Sequence, residues 1–397
     1  MAQAETHLID LTGPQSHALV REPGVGRHII APPSLGKKAN LHVAADQPIN
    51  WTVFNAFTVP AGYPWPRVLD YTGADTGFFA WARQRPIEDV DWTPIFAADS
   101  HERELAVDAS ASRIGILIIN MTSPGGRLRL TLPKREQSPH LRLTVTGDIA
   151  RFSADGEMPR SVAFTPRTGS RKTNGSYQLP DIGALHQVSE LELYNQPMGQ
   201  PISLQCLGRF PNLESLSLYG SFSDLDALAE CNLESLQLRF IPDLDGLPAL
   251  STWPKLDYFI AWNVEQAAGK RLRKEIKARA AIRPWSKFVS VSQLRKPEWW
   301  ASEFGRPFSA WPGRRARLAN TAYDAALAAL AQARSMTDAE TAFTTFVARF
   351  NTIKGIETTE RDDLGDAVWQ LSQSDDATRL GVTEEMAQRW FDEVRDY

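Results

Sequence analysis

Four stretches decide the reading of this chain: VSELELYN (188–195), LESLSLYG (213–220), LESLQLRF (233–240) and LDYFIAWN (256–263). Each carries an apolar-x-x-apolar-x-apolar core. They recur at intervals of roughly 20 to 25 residues, the period of arrays in which one short supersecondary unit stacks on the next. Side chains of an extended segment alternate between its two faces. Leu191 and Leu193, Leu216 and Leu218, Leu236 and Leu238, and Phe259 and Ala261 are therefore expected to form one buried ladder, with their neighbours on an outward wall. Apolar residues between the cores, such as Leu204, Leu207, Leu225, Leu228, Leu244, Leu247 and Leu250, are placed to roof the other side of that ladder.

The pattern resembles the leucine-rich repeat, whose consensus sets L-x-x-L-x-L on a short parallel strand. Two units are introduced by an aromatic and a proline, RFPNLESLSL (209–218) and TWPKLDYFIA (252–261). The resemblance implies a short curved solenoid over 121–263, with RLRLTLP (127–133), HLRLTVTG (140–147) and RSVAF (160–164) as strands extending it toward the N-terminus. The chain departs from the family at one point. The Asn three residues after the last core Leu is replaced by Gln196, Ser221 and Ile241, so the turns must satisfy their backbone groups in another way.

Working outward, residues 1–120 hold short β-type runs such as HII (28–30), NLHVAA (40–45) and RIGILIIN (113–120), separated by Pro- and Gly-rich turns. They predict a β-rich N-terminal domain with Trp51, Trp65, Trp81 and Trp92 in its core. Beyond 263 the composition turns helical. The stretch 263–282 carries Ala268, Leu272, Ile276 and Ala280 on one face and Lys and Arg on the others, which suits a cap on the end of the repeats. It opens a basic helix and aromatic connector at 264–317. Helices at about 318–334, 337–351, 359–372 and 383–395 then predict a C-terminal helical domain at 318–397. Thr337 with Glu340 and Thr359 with Asp362 fit capping boxes, and Phe343, Val347 and Phe350 make an apolar stripe. The expected fold class is mixed α and β: β-rich N-terminal domain, short leucine-rich-repeat solenoid, helical C-terminal domain.

The 397 residues hold 43 Lys plus Arg against 47 Asp plus Glu, a net charge of -4, with 43% hydrophobic residues. That composition excludes a disordered chain and gives no global attraction to nucleic acid or to anionic lipid. Two cysteines make no disulfide framework, and no stretch approaches the roughly 18 apolar residues of a membrane span. The N-terminus MAQAETHLIDLTG lacks the basic start and apolar run of a signal peptide. A cytoplasmic protein with no membrane contact and no direct nucleic-acid contact is expected. Charge is nevertheless blocked: an excess of roughly six positive over 127–172, eight negative over 181–262, ten positive over 264–317 and eight negative over 320–397. The basic helix at 270–279 reads as a solvated face; its rivals, RNA or membrane-surface binding, need a continuous basic surface, and the nearby acidic blocks argue against one.

Catalytic signatures are lacking. His101-Glu102 has no second histidine at a zinc-binding helical offset, and Gly24-Val25-Gly26 continues into neither a dinucleotide loop nor a P-loop. Cys206 and Cys231 fall in different phases of the repeat and read as buried packing, while a dyad of His186 with either stays open. No carboxylate pair stands out. No catalytic residue, metal ligand or cofactor is therefore assigned, and a non-enzymatic protein is expected.

What the repeats offer is a surface. Glu190, Glu192 and Tyr194, then Ser217 and Tyr219, then Gln237 and Arg239, then Tyr258 and Trp262 are expected on the outward wall. The column Tyr194, Tyr219, Arg239, Trp262 consists of residue types enriched in binding hot spots. It implies a protein partner, unless another part of the chain covers it. The stretches LRKPEWW (294–300), GIETTERDDLGDAVWQL (355–371) and GVTEEMAQRWFDEVRDY (381–397) resemble the tails of bacterial leucine-rich-repeat proteins labelled as gliding-motility proteins. The Glu-Thr-Thr-Glu-Arg helix is also similar to those of cytoplasmic immunity proteins. That likeness implies a protein that sequesters a toxin domain by occluding its active site, and the acidic repeat block suits a basic toxin. A scaffold of a motility or signalling complex, and an enzyme seated in the N-terminal domain, stay open as alternatives.

Overall fold

The computed structural model describes residues 5–10, 16–21, 27–33, 39, 41–56, 67–96, 104–169, 173–195, 199–302, 306–308, 311, 313–353 and 356–396. Gly24-Val25-Gly26, Trp65, His101-Glu102 and Gln196 lie outside them. The chain divides into two compact units, Met1–Pro297 and Glu298–Tyr397. No helix among the described residues is long and apolar enough to cross a membrane.

The first unit is built on one sheet of 12 strands in which every pairing is parallel. Strands follow one another in sequence order from Arg27–Ala31 to Val289–Ser292, with Leu41–His42 set on the outer edge beside the first. This overturns the expected β-rich domain at 1–120 beside a separate repeat array at 121–263. The Ile114–Met121 strand pairs with Ile87–Pro94 on one side and Arg142–Gly147 on the other, so residue 120 falls inside the sheet. The fold is mixed α/β around a single large parallel sheet, and a leucine-rich-repeat solenoid is not what the structure shows.

The physical reason lies in the core. One register line runs His28, Leu69, Val90, Leu117, Leu143, Val162, Leu191, Leu216, Leu236, Phe259 and Val289, through neighbouring strands in turn. The parallel line two residues on holds Tyr71, Trp92, Ile119, Val145, Phe164, Leu193, Leu218, Leu238 and Ala261, all buried. A stacked ladder requires only that each inward residue be apolar and fill its layer, and burying each large side chain is worth about 1.5–3 kcal/mol. Tyr71, Trp92 and Phe164 meet that requirement as well as leucine does. They carry the ladder past the point where the leucine spacing ends.

Between the strands of the large sheet, Glu104–Asp108, Arg127–Leu132 and Phe152–Gly156 form a second parallel sheet of three strands. Its buried residues Leu128, Leu130 and Leu132 belong to the same hydrophobic cluster as the main ladder. In the later layers this place is taken by single 3-10 turns, Gly183–Gln187, Leu204–Arg209, Leu225–Glu230 and Leu250–Thr252, which bury Leu204, Leu207, Leu225, Leu228 and Leu250 as the sequence predicts, and Leu185 besides. The aromatic set of the early layers is also internal. Trp51 lies edge-on to Tyr71 at 5.3 Å and near-parallel to Trp81 at 6.4 Å.

The strand exits are closed by a different device from the expected one. The amide role falls on Asn195, two residues after Leu193 rather than three. Its Nδ2 donates to the Gln200 and Ser221 carbonyls at 3.0 and 2.9 Å, and its Oδ1 accepts from the Gly199 amide at 3.1 Å. The equivalent positions on the next strands, Gly220, Phe240, Asn263 and Gln293, all have positive φ. At Gly220 (φ 106°) a Cβ would stand 2.6 Å from the Asn195 carbonyl oxygen, so only glycine fits. After Asn263 the chain enters the Gln266–Ile282 helix, capped by Glu265 and buried at Gly269 and Leu272, while Ala280 is exposed.

The second unit holds helices Gly313–Gln332, Met336–Ala348, Thr358–Ser372, Asp375–Arg379 and Glu384–Val394 around Phe343, Phe346, Phe350, Leu364, Trp390 and Phe391. Two helix starts fall two residues before the expected caps. Ser335 and Asp338 bond reciprocally, and Glu357 pairs with Glu360 in the same way. Trp311 is buried and donates to Asp363 at 2.8 Å.

Candidate binding face

The alternation that buries the ladder puts every second residue on the opposite face of the large sheet. Strands Glu190–Tyr194, Ser215–Tyr219, Ser235–Ile241 and Tyr258–Val264 are in straight register, so their outward side chains form rows. One row is Tyr194, Tyr219, Arg239, Trp262; the next is Glu192, Ser217, Gln237, Ile260; the third is Glu190, Ser215, Ser235, Tyr258. All are half-buried.

A concavity of about 410 Å³ lies on this face. It gathers Glu190, Glu192, Tyr194, Ser217, Tyr219, Gln237 and Arg239, seven of the nine residues that the sequence singles out. Tyr258 and Trp262 continue the rows on the following strand and do not line it. Arg142, which sequence reasoning missed, completes the wall. It comes from a strand two places away and reaches Glu192 at 2.6 Å, a pairing across fifty residues that only the register reveals.

The electrostatics differ from the block charge of the sequence. Glu192 is held by Arg142 and accepts from the Tyr194 hydroxyl at 2.6 Å, and Glu190 is held by Arg160 at 2.6 Å. Both carboxylates in the concavity are thus paired, Glu192 by a residue of the lining and Glu190 by one outside it. Arg239 donates from Nη2 to Gln237 Oε1 at 3.0 Å and has no carboxylate partner among the described residues. The lining therefore does not carry the excess negative charge that favoured a basic partner. Burial, and then the hydrogen bond to Glu192, pushes the Tyr194 hydroxyl up to about 12, so it is a neutral donor at physiological pH.

Phe240 is the other residue the sequence did not point to. Strict alternation would turn it inward, but its left-handed backbone (φ 53°) brings its ring between Tyr219, 5.0 Å away, and Trp262, 4.8 Å away. With Tyr194 5.9 Å from Tyr219, four rings run in contact along the rim of the face. Its signal in the sequence was an aromatic at the strand-exit position where the other units have Asn or Gly.

Farther along the same sheet, Asp70 and Asp91 are register neighbours, with Asp89 beside Val68. Arg27 pairs with Asp70 at 2.7 Å and Asn120 donates to Asp91. Burial, and then the charge of Asp70, pushes Asp91 up to about 6. No group of three or more His, Cys, Asp or Glu among the described residues is arranged to hold a metal ion. The His186 ring stands edge-on to Phe210 at 5.0 Å and its Nδ1 is 3.7 Å from Asp181. Cys206 is buried and points its Sγ at the Ser203 carbonyl, 3.4 Å away.

Among known proteins, no family model matches this chain, and neither a curated protein nor a solved structure shows significant similarity to it.

Proposed function

We propose that this chain is a non-enzymatic protein-binding protein that docks a protein partner on the outward face of strands 190–194, 215–219, 235–241 and 258–264. The observation that carries the reading is the row Tyr194, Tyr219, Arg239, Trp262, in register beside a concavity whose own carboxylates are already paired. Aromatic side chains in contact with one another, and an arginine held by the neighbouring Gln237, are preordered, and they contribute most where a partner excludes water from them. Glu190, Glu192, Ser217, Gln237 and Tyr258 supply a polar surround. The finer reading of the partner as a toxin domain is supported only by the resemblance of the 355–371 and 381–397 stretches, and growth rescue against a candidate toxin tests it.

The docking face is tested by placing a photoactivatable phenylalanine analogue at Ser217 in the native host and identifying the cross-linked protein. Tyr219, Arg239 and Trp262 are then replaced together by alanine. A single partner that cross-links at Ser217 and binds the triple variant at least about a hundredfold more weakly is the expected result, since hot-spot truncations cost about 2 kcal/mol or more each. Unchanged affinity retires this face.

A further inference from the structure

We propose that the basic helix Gln266–Ile282 and the loop 282–288 after it form a contact surface for an anionic phospholipid bilayer. Between 266 and 296 the chain holds ten Lys and Arg against one acidic residue. The helix buries Gly269 and Leu272, which leaves Lys270, Lys274 and Lys277 exposed away from them, while Arg273 donates to the Val291 carbonyl at 3.0 Å. Like charges three and four residues apart destabilise a helix unless something of opposite sign faces them.

Among the described residues no carboxylate pairs with those lysines. Glu265 caps the helix, accepting from the Ala267 and Ala268 amides at 2.7 Å. Glu275 accepts from the Leu250 amide at 2.9 Å and lies 3.4 Å from Arg271. Asp257 accepts from the Ser286 amide at 3.0 Å and from its hydroxyl. Each local acid is turned to the protein's own backbone, and the lysines are left to solvent.

The loop supplies the second observation. Ile282 is 89% exposed and Phe288 61%, the two most exposed large hydrophobic side chains among the described residues. Arg283 and Lys287 lie between them in the sequence IRPWSKF. The loop is braced: Asp257 holds Ser286, Arg283 donates to the Pro254 carbonyl, and the Arg279 guanidinium covers the Trp285 ring at 3.6 Å. Ile282 and Phe288 are thus displayed on a fixed frame. Apolar tips among basic residues match the boundary between anionic headgroups and acyl chains. A nucleic acid would use the lysines but gain nothing from Ile282, and the ring of Trp285 is already covered. The near-neutral total charge, which gave the expectation of no membrane contact, conceals this local field.

The full chain is tested by co-sedimentation with vesicles of phosphatidylcholine alone and with roughly one-third phosphatidylserine, over a salt series. Binding only to the anionic vesicles, weakening as salt shortens the screening length, is expected. K274E/K277E should weaken it at least about tenfold, since each basic charge near such a surface is worth about a factor of five. I282S/F288S should weaken it as well and retain the wild-type melting temperature, as both side chains are exposed. The proposal is overturned by failure to bind anionic vesicles, by equal binding to neutral ones, or by an I282S/F288S variant that binds like wild type. Tighter binding of a single-stranded RNA oligonucleotide than of the vesicles overturns it too and assigns the surface to nucleic acid.

Discussion

The Phe240 ring meets Trp262 edge-on, with centroids 4.8 Å apart and planes at 85°, while the Phe240 backbone sits at φ 53°. A bulky side chain is strained in that region, and here the strain is offset by ring contacts on both sides. Truncating Phe240 to alanine removes the ring and keeps the strain; truncating it to glycine removes both. Phe240→Ala should cost about 3 kcal/mol in urea unfolding, and Phe240→Gly about 1 kcal/mol less, an inversion of the usual order for these two residues. If glycine is the worse of the two, the left-handed backbone is not a source of strain.

Asn195 links two layers through bonds to Gln200, Ser221 and Gly199, and its side chain is fully buried. Asn195→Ala takes this side chain's bonds from the Gln200 carbonyl and the Gly199 amide and leaves the Ser221 carbonyl with the Ile202 amide alone, and the expected loss is about 2 kcal/mol by equilibrium unfolding. Asn195→Asp should be no better, because the donor to both carbonyls is lost.

Asp91 gives a pH signature with a definite sign. Burial, then Asp70, raises it from an ordinary 3.8 to about 6, against the opposing hydrogen bond from Asn120. A carboxyl with a raised value in the folded state holds its proton more tightly there. Its contribution to stability is complete below about pH 4 and is lost as pH rises through about 6. Asp91→Asn should therefore raise the unfolding free energy near pH 7.5 by about 1 to 3 kcal/mol and have little effect near pH 4. Melting temperatures of both proteins across that range check it.

Burial pushes the Cys206 and Cys231 thiols up to about 11. Near pH 8 the thiolate fraction is then about a thousandth, so the native protein should react with a disulfide reagent far more slowly than a free thiol does, and unfolding in guanidinium should release both. Rapid modification of either residue in the native state would contradict the placement of both thiols.

The repeating core of the later strands was legible because leucine stands at each inward position, from Leu191 to Leu238. The same ladder continues through Tyr71, Trp92 and Phe164, where the layer is filled by aromatic rings, and a leucine pattern cannot register them. This is why one sheet was read as two bodies. Within the candidate face, the outward rows follow from alternation, and seven of the nine chosen residues meet in one concavity. Arg142 and Phe240 were not legible for two different reasons. The first depends on which distant strands become neighbours, and the second on a backbone inversion that breaks the period of two. The local charge of the face was hidden for the first of these reasons: Glu190 and Glu192 sit in an acidic stretch of sequence, and their partners Arg160 and Arg142 come from the basic stretch before it.

The strand order of the large sheet also determines how the protein answers to force. Apart from Leu41–His42 at the outer edge, the strands of this sheet lie side by side in sequence order, each bonded within it to the sheet strand before and the sheet strand after. A pull between residues 27 and 292 loads these interfaces one after another instead of shearing them all together. In an optical trap the sheet should lengthen as a staircase of small steps, peeled from an end, rather than in a single rupture.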